Sequence, residues 1–222
     1  MDLARHVRWI KIPVFLLCLG PFANLAWRGY LASKGSLDAL GANPIEYITH
    51  STGTWTLVFL CITLAITPLR RLLKENALIR FRRMLGLFAF FYGFLHFGTW
   101  IGLDKFFDWA DMLHDVRKRP FITVGFTGFV SMLPLALTST AGWIRRLGGK
   151  RWQALHRLIY VTGTAGVVHY YWLVKSDVRK PLFYGALVAL LFALRVGFWL
   201  ISRRSKPAGK TIQPRLTTAE TS

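Results

Sequence analysis

Histidines within apolar sequence are the feature of this chain that carries the most chemical meaning. His96 lies inside one long apolar stretch, His156 and His169 lie thirteen residues apart in another, and His50 lies at the edge of a third. An ionisable side chain inside a bilayer is costly and marks a functional site by default. Two histidines that face each other across a helical bundle are a standard way to hold heme iron at both axial positions. The pattern therefore predicts a heme site inside a membrane.

Six apolar stretches must position these histidines. They cover approximately residues 12–31, 48–67, 84–103, 121–138, 154–174 and 182–202, in a chain of 222 residues that is 53% hydrophobic with a mean hydropathy of +0.37. Each is about as long as a helix that crosses a hydrocarbon core of ~30 Å at ~1.5 Å per residue. We therefore expect an all-α membrane protein, a six-transmembrane-helix bundle over residues 12–202, with tails at 1–11 and 203–222.

The positive charges are placed as the positive-inside rule requires. The formal net charge is +19, and the basic residues cluster before the first stretch, between the second and third, around the fourth-to-fifth connection and after the sixth. The loop between the third and fourth stretches instead balances its basic residues with aspartates. Both termini and the two basic loops are therefore expected to be cytoplasmic. This distribution indicates that the basic residues lie at the surface of a lipid bilayer. It does not indicate a nucleic-acid partner.

The depths of the histidines predict which of them pair. His96 lies about 12 residues, or ~18 Å, into the third span, and His169 lies at a similar depth in the fifth span, which runs in the same direction. These two histidines are therefore expected to be the axial ligands of an outer heme. His156 lies ~20 Å from His169 along the axis, near the inner surface. That step suits a second, inner heme.

For the inner site the sequence offers one histidine ligand, His156. Arg82 stands fourteen residues before His96, nearly four turns, and so falls on the same helix face. It is our candidate beside His156, as an unusual ligand or as a partner of a heme propionate. On a straight helix thirteen residues rotate His156 by roughly 140° from His169. Gly163 and Gly166 lie between the two and permit a distortion or a close helix approach.

The other histidines are weaker candidates. His50 is a ligand, a lining residue of a quinone or flavin pocket, or a helix cap, and we favour a role other than ligand. His6 and His114 belong to a tail and a loop and are expected to be solvated. The loop over residues 104–120 mixes aromatic residues with aspartates, which predicts a short amphipathic helix in the interface or a docking surface.

The sequence shows no sign of a nicotinamide- or flavin-binding domain that would supply electrons. No dinucleotide fingerprint or phosphate loop occurs in a strand–helix context. The tail from residue 203 onward has no apolar period and is too short for a nicotinamide or flavin domain. We expect electrons to come from a separate donor and to pass to a separate acceptor.

Several motifs together carry a resemblance to a known family. They are the segments PIEYITHSTG at 44–53, TPLR at 67–70, RRMLGL at 82–87 and WQALHRLIY at 152–160, with one histidine in the third span and an H-x12-H pair in the fifth. The chain resembles the ferric-reductase-type transmembrane domain over roughly residues 8–202. Among its members it is similar to the stand-alone heme-binding membrane subunits of the bacterial protein-methionine-sulfoxide reductase system, with Arg82 where larger members have histidine.

The resemblance implies cofactors, partners and a location. It implies one or two hemes b and allows FMN, in the inner membrane of a Gram-negative bacterium. Electrons would come from a cytoplasmic flavin reductase or the quinone pool and pass to a periplasmic molybdopterin enzyme that repairs methionine sulfoxide. By position, His96 and His169 would hold the outer heme, and His156 the inner one with Arg82 opposite. The chain would then be an electron-transfer subunit of an oxidoreductase complex and not its catalytic subunit.

Two other functions stay open from the residues. A stand-alone ferric or quinone reductase would use the same hemes and pass electrons directly to its acceptor. A cofactor-free transporter would use the histidines as a proton relay. The apolar stretches contain no aspartate or glutamate on which such a relay would depend, and no inverted repeat is evident.

Overall fold

Helices make up nearly all of the computed structural model, which describes residues 3–204. They are α1 (Leu3–Ser33), α2 (Pro44–Leu72), α3 (Ile79–Thr99), α4 (Trp109–Lys118), α5 (Pro120–Leu137), α6 (Ala141–Leu147), α7 (Gly149–Leu155), α8 (Leu158–Leu173) and α9 (Arg179–Arg204). A π-helical turn over Trp100–Asp104 continues α3. No strand occurs within residues 3–204. The predicted cytoplasmic tail lies outside the described residues from position 205 onward.

Five of these helices have the length and apolar composition of a membrane span. They are His6–Ser33, Pro44–Leu72, Asn76–Asp104, Pro120–Leu137 and Arg179–Ser202. The remaining expected span, 154–174, is divided, because α7 ends at Leu155 and α8 begins at Leu158. The 16 residues of α8 cover only about 24 Å at ~1.5 Å per residue. The chain is thus an all-helical, multi-pass membrane protein with five candidate spans.

Local sequence explains where the helices begin. The side chain of Asn43 accepts a hydrogen bond from the backbone N–H of Glu46, and Pro44 takes the first helical position of α2. Asp108 caps α4 in the same way, through the backbone N–H of Asp111. These caps satisfy backbone donors that the first helical turn leaves without a partner.

The helices pack as a bundle around α2. It packs most extensively against α3 and also contacts α8 and α9, while α5 packs along α8. The core face of α3 repeats at helical spacing through Phe81, Leu85, Phe88 and Tyr92, all of which are buried. Leu64 of α2 is fully buried within the same cluster. The two helices that carry the histidines, α3 and α8, thus each pack against both α2 and α5.

The outward faces of the helices are apolar. Leu17, Phe94, Leu137, Phe183 and Ile201 are all exposed. In water such a surface would be unfavourable, but lipid tails are as apolar as these side chains. The exposed surface therefore agrees with a bundle surrounded by lipid.

A tyrosine joins α1 to the bundle. Pro21 removes one backbone donor from α1. In the same turn the hydroxyl of Tyr92 donates to the Cys18 carbonyl at 2.8 Å and accepts from the Phe22 N–H at 3.1 Å. The hydroxyl thus stands between a donor and an acceptor that are one helical turn apart. A side chain inserted into the hydrogen-bond ladder in this way is a recognised cause of helix bending.

Candidate cofactor site within the helical bundle

The structure brings His96 of α3 and His169 of α8 together. Their ring centres lie 6.0 Å apart and the ring planes are 73° from parallel. Both side chains are half-buried in the bundle. Residues 73 positions apart in sequence therefore meet at one point, as the depth argument predicts.

Each ring of this pair is oriented by a backbone carbonyl. His96 Nδ1 lies 3.0 Å from the Thr49 carbonyl oxygen, and His169 Nδ1 lies 2.7 Å from the Phe121 carbonyl oxygen. Because a carbonyl only accepts, Nδ1 carries the proton in each ring, and Nε2 is left with its lone pair. Metal-binding histidines use the same arrangement, which fixes the tautomer and the ring direction.

A glycine lies under each ring. A Cβ on Gly53 would come within 3.0 Å of His96 Cε1, and a Cβ on Gly125 within 2.6 Å of His169 Nδ1. Each glycine follows by four residues the carbonyl that its histidine binds, Thr49 on α2 and Phe121 on α5. Because glycine has no side chain, the imidazole can lie against the helix and reach the carbonyl one turn earlier. Helices α2 and α5 thus hold a histidine ring in the same way, with a backbone carbonyl and a glycine four residues after it.

Further hydrogen bonds fix the backbone around His96. The Thr99 hydroxyl donates to the His96 carbonyl at 2.8 Å, and the Thr49 and Thr99 hydroxyls lie 3.3 Å apart. Thr49 therefore contacts the ring of His96 through its carbonyl and the turn after His96 through its hydroxyl. The π-helical turn begins at Trp100, directly after this network. Such turns are frequent at functional sites.

The spacing of the two rings suits a metal ion between them. Imidazole nitrogens bind first-row metals at about 2 Å, and each ring centre lies about 1 Å further on, so an in-line pair has ring centres about 6 Å apart. The 6.0 Å between His96 and His169 agrees with that sum. Two neutral imidazoles, with no carboxylate or thiolate beside them in the described part of the chain, would suit heme iron.

The second candidate site is a cavity of about 360 Å³ that both His156 and Arg82 line. Its wall also includes Thr63, Arg83, Gly86, Phe90, Met132, Ser139 and Trp152. The Thr63 hydroxyl is buried and has no hydrogen-bond partner among the described residues. A volume of this order, mostly apolar with a few polar groups, is typical of a cofactor site. The inner candidates predicted from sequence therefore share one cavity.

His156 lies at the break between α7 and α8, and its ring is held differently from the outer pair. It packs on the Trp152 ring at 3.9 Å, and its Nε2 lies 3.1 Å from the Thr138 hydroxyl. That hydroxyl already donates to the Pro134 carbonyl at 2.6 Å, so Nε2 carries the proton here. Nδ1 therefore has the free lone pair. The break between the helices also removes the straight-helix condition behind the expected 140° rotation.

The remaining predicted positions have simpler surroundings. His50 is exposed on α2, and His114 is exposed on α4, 3.9 Å from Asp115. Gly163 and Gly166 lie within the continuous helix α8, where they allow close approach: a Cβ on Gly163 would meet Phe192 at 3.1 Å. Their role is helix packing, because the distortion that the spacing required occurs before them, at residues 156–157.

Sequence reasoning did not single out the groups that orient the outer pair. The carbonyl of Thr49, the carbonyl of Phe121 and the bare backbone of Gly125 are main-chain features, and a backbone carbonyl has no sequence signature. A glycine within an apolar helix is a weak signal, because glycine is frequent in membrane helices. Pairing these glycines with particular histidines required the tertiary structure.

Comparison with known proteins agrees with this arrangement. The family model described as the ferric reductase like transmembrane component matches residues 52–167, which include His96 and His156. Proteins named "Protein-methionine-sulfoxide reductase heme-binding subunit MsrQ" are similar over most of the chain. That of Herminiimonas arsenicoxydans is 57% identical over 89% of this chain and 88% of its own length. That of Ralstonia nicotianae is 52% identical over 95% and 96%.

Relatives of the same name also occur at lower sequence identity. The protein of that name from Xanthomonas euvesicatoria is 47% identical over 92% of this chain and 93% of its own length. No solved structure matches the chain. Because both the domain model and full-length relatives match, the chain belongs to the ferric reductase like transmembrane component family and, within it, to the MsrQ family.

Proposed function

We propose that this protein is a heme-binding electron-transfer subunit of a methionine-sulfoxide reductase system in the bacterial inner membrane. The observation that carries the proposal is the His96–His169 pair. Its ring centres lie 6.0 Å apart, and each Nδ1 is hydrogen-bonded to a backbone carbonyl oxygen. Bound heme supplies a one-electron carrier at this depth. The chain itself fixes both imidazole tautomers and surrounds the site with apolar side chains.

The inner cavity extends the proposal to a second heme. His156 offers a ring nitrogen and Arg82 a cation within the same cavity of about 360 Å³. Phe90 lines this cavity and begins a series of stacked rings: it stacks with Phe129 at 6.2 Å, and Phe129 stacks at 4.3 Å with Phe97, the residue after His96. Packed aromatic side chains between the two sites exclude water from the path between them.

The direction of electron flow follows from the proposed topology. With six spans and cytoplasmic termini, the cavity near His156 lies at the inner side and the His96–His169 pair lies towards the outside. The donor would be a cytoplasmic flavin reductase or the quinone pool, and the acceptor a periplasmic molybdopterin reductase subunit. The names of the relatives support this system, since they describe a heme-binding subunit of a protein-methionine-sulfoxide reductase. FMN rests on the family resemblance alone.

Single histidine variants test the outer site. We expect His96→Ala and His169→Ala each to lose the low-spin bis-histidine spectrum of one heme, because one imidazole cannot fill both axial positions. His114→Ala is the matched control, since that side chain is 64% exposed on α4. His50→Ala should also leave the spectrum intact. Retention of the full low-spin spectrum in both ligand variants would refute the assignment.

A second measurement separates the proposed subunit from a stand-alone reductase. The purified chain, reduced chemically, is mixed with chelated ferric iron, with a soluble quinone or with a periplasmic molybdopterin reductase, and heme reoxidation is followed. Reoxidation that depends on the reductase supports the subunit. Equally fast reoxidation by iron or quinone alone would favour the stand-alone enzyme.

A further inference from the structure

Arg195 is a cation within membrane-spanning helix α9 for which the heme assignments have no role. Its Nη2 donates to the Leu64 carbonyl of α2 at 2.9 Å, and its guanidinium lies 5.9 Å from the centre of the Tyr160 ring. The Nε atom is buried and has no hydrogen-bond partner among the described residues. A charged group at such a place is costly and marks a functional position.

The contact with Leu64 has a clear structural cause. In a regular helix the Leu64 carbonyl accepts from the N–H four residues later, but that residue is Pro68, which has none. Pro68 is fully buried, so water cannot satisfy the carbonyl. Arg195 supplies the missing donor from α9. A neutral donor would serve equally well here, so the hydrogen bond does not explain why the residue is charged.

The charge of Arg195 is placed next to other positive charges. Arg82 interacts electrostatically with both Arg195 and Arg70. Arg82 lines the inner cavity, and Tyr160, under the Arg195 guanidinium, lies one turn after His156. Arg195 is therefore close to the wall of that cavity, where the positive charge of Arg82 on α3 adds to its own.

No carboxylate compensates these cations in the described part of the chain. The ion pairs found there involve Asp111, Asp115 and Asp177, which lie in the connections after α3 and before α9. Glu75 lies at the turn between α2 and α3, where its carboxylate accepts a hydrogen bond from the Ala77 backbone N–H at 2.9 Å. A half-buried cation whose charge no anion balances is unfavourable in apolar surroundings. An anionic group in the adjacent cavity would remove that cost.

We propose that Arg195 is a positioning residue of the inner heme site, where its charge, together with that of Arg82, compensates the carboxylates of the macrocycle and raises the reduction potential. This inference rests on the proposed function, in which His156 holds a heme in the cavity. A nearby positive charge favours the reduced state, which carries one more electron, so loss of the charge lowers the potential. A heme held by His96 and His169 would keep its potential, because His169 lies nine residues, or about 13 Å along α8, beyond Tyr160.

Four variants of the full chain separate the charge from the hydrogen bond. Arg195→Gln removes the charge, and Arg195→Lys retains it. Pro68→Ala returns a backbone N–H to the Leu64 carbonyl, so in the Pro68→Ala, Arg195→Gln double variant the structural need for Arg195 is gone. Arg179→Gln is the control, because that cation lies at the other end of α9, is exposed, and pairs with Asp177.

Redox titration of each variant, followed by the heme spectrum, gives the test. We expect Arg195→Gln, alone and with Pro68→Ala, to lower the equilibrium constant for reduction of the inner heme about tenfold, which is about 59 mV for one electron. Arg195→Lys and Arg179→Gln should stay near the wild-type value. An Arg195→Gln shift that disappears in the Pro68→Ala background would show a purely structural role and overturn the inference.

Heme content keeps this inference distinct from the proposed function. His156→Ala should lose one of two hemes, and the couple that disappears is the inner one. If His156→Ala retains both hemes, the inner site itself is wrongly assigned. If it loses one while Arg195→Gln leaves both potentials unchanged, the site stands and only the role of Arg195 is refuted.

Discussion

At the scale of single residues, the outer site depends on main-chain groups as much as on its two histidines. His96 and His169 each bind a carbonyl through Nδ1 and lie against a glycine four residues beyond that carbonyl. The histidines can be found from sequence, because a polar ring in an apolar helix is conspicuous. Gly53 and Gly125 cannot be found in this way. Their role is to leave space for the histidine rings, and that space is defined only in the folded bundle.

The variant Gly125→Ala tests directly whether the glycine lets His169 reach the Phe121 carbonyl. The new Cβ would lie 2.6 Å from His169 Nδ1, closer than side chains tolerate, so the ring must leave the Phe121 carbonyl. We expect loss of the outer low-spin heme signal in a chain whose helix content, by circular dichroism, is unchanged. Gly98→Ala is the matched control, since nothing lies within 4 Å of its Cβ position. An intact heme signal in Gly125→Ala would show that the Phe121 carbonyl does not orient the ligand.

At the scale of helices, α1 is joined to the bundle through Tyr92, whose ring stacks on Phe59 at 5.2 Å. Tyr92→Phe keeps the stacking and removes both hydrogen bonds to α1. We expect it to cost about 0.5–1.5 kcal/mol, the net value of a lost hydrogen bond, because the Cys18 carbonyl and the Phe22 N–H lie one helical turn apart and can bond to each other once the hydroxyl is gone. A lower thermal midpoint in detergent measures this cost. Tyr171→Phe, on the exposed surface, should not change the midpoint, and equal midpoints for both variants would contradict the role of Tyr92.

The amphipathic helix expected between residues 104 and 120 is present as α4, and Lys105 holds it to the preceding turn. Lys105 Nζ lies 2.6 Å from Asp111 and also pairs with Asp115. The hydrogen bond from Lys105 lowers the pKa of Asp111 below its ordinary 3.8. Burial alone would lower the pKa of Lys105, but its bonds to Asp111 and Asp115 outweigh this and raise it above 10.5.

The signs of these shifts define a pH window. Asp111 stabilises the folded loop above its unfolded pKa and loses that contribution as the pH falls through its lowered value. Lys105 contributes below its own unfolded pKa and loses the effect as the pH rises through the raised one. The attachment of α4 should therefore be firm at neutral pH and weaken in acid, below about pH 4.

A spin label on α4 measures this attachment. Both native cysteines are buried, so Leu113→Cys, at an exposed position, offers a selective label. We expect label mobility to rise on acidification from pH 5 to pH 3. Asp111→Asn should show raised mobility already at pH 7. Constant mobility across the whole range would mean that this ion pair does not hold α4.

At the scale of the whole molecule, the apolar stretches predicted the helices well, because length and composition alone determine which segments suit lipid. The fifth stretch was less predictable. Its continuous apolar sequence concealed the break at 156–157, which turns the His156 ring towards Thr138 and the inner cavity. Arg195 was likewise missed, since its partner, the Leu64 carbonyl, is made available by a proline on another helix.

The proposed six-span topology is testable by labelling single cysteines in cells. Position 36 lies before α2, position 150 in α7 and position 176 after α8, and all three are exposed. If α8 crosses the membrane despite its 16 residues, Ser36→Cys and Ser176→Cys react with an impermeant maleimide from outside, and Lys150→Cys only after permeabilisation. Labelling of positions 150 and 176 from the same side would exclude the crossing.

Heme content of the purified chain tests the central claim most directly. The chain is expressed with heme available, purified in detergent, and measured for heme per protein together with the reduced-minus-oxidised spectrum. Two b-type hemes per chain, one of which is lost in His156→Ala and the other in His96→Ala, is the predicted result. A well-folded chain that carries no heme would contradict the account and favour a cofactor-free transporter with a histidine proton relay.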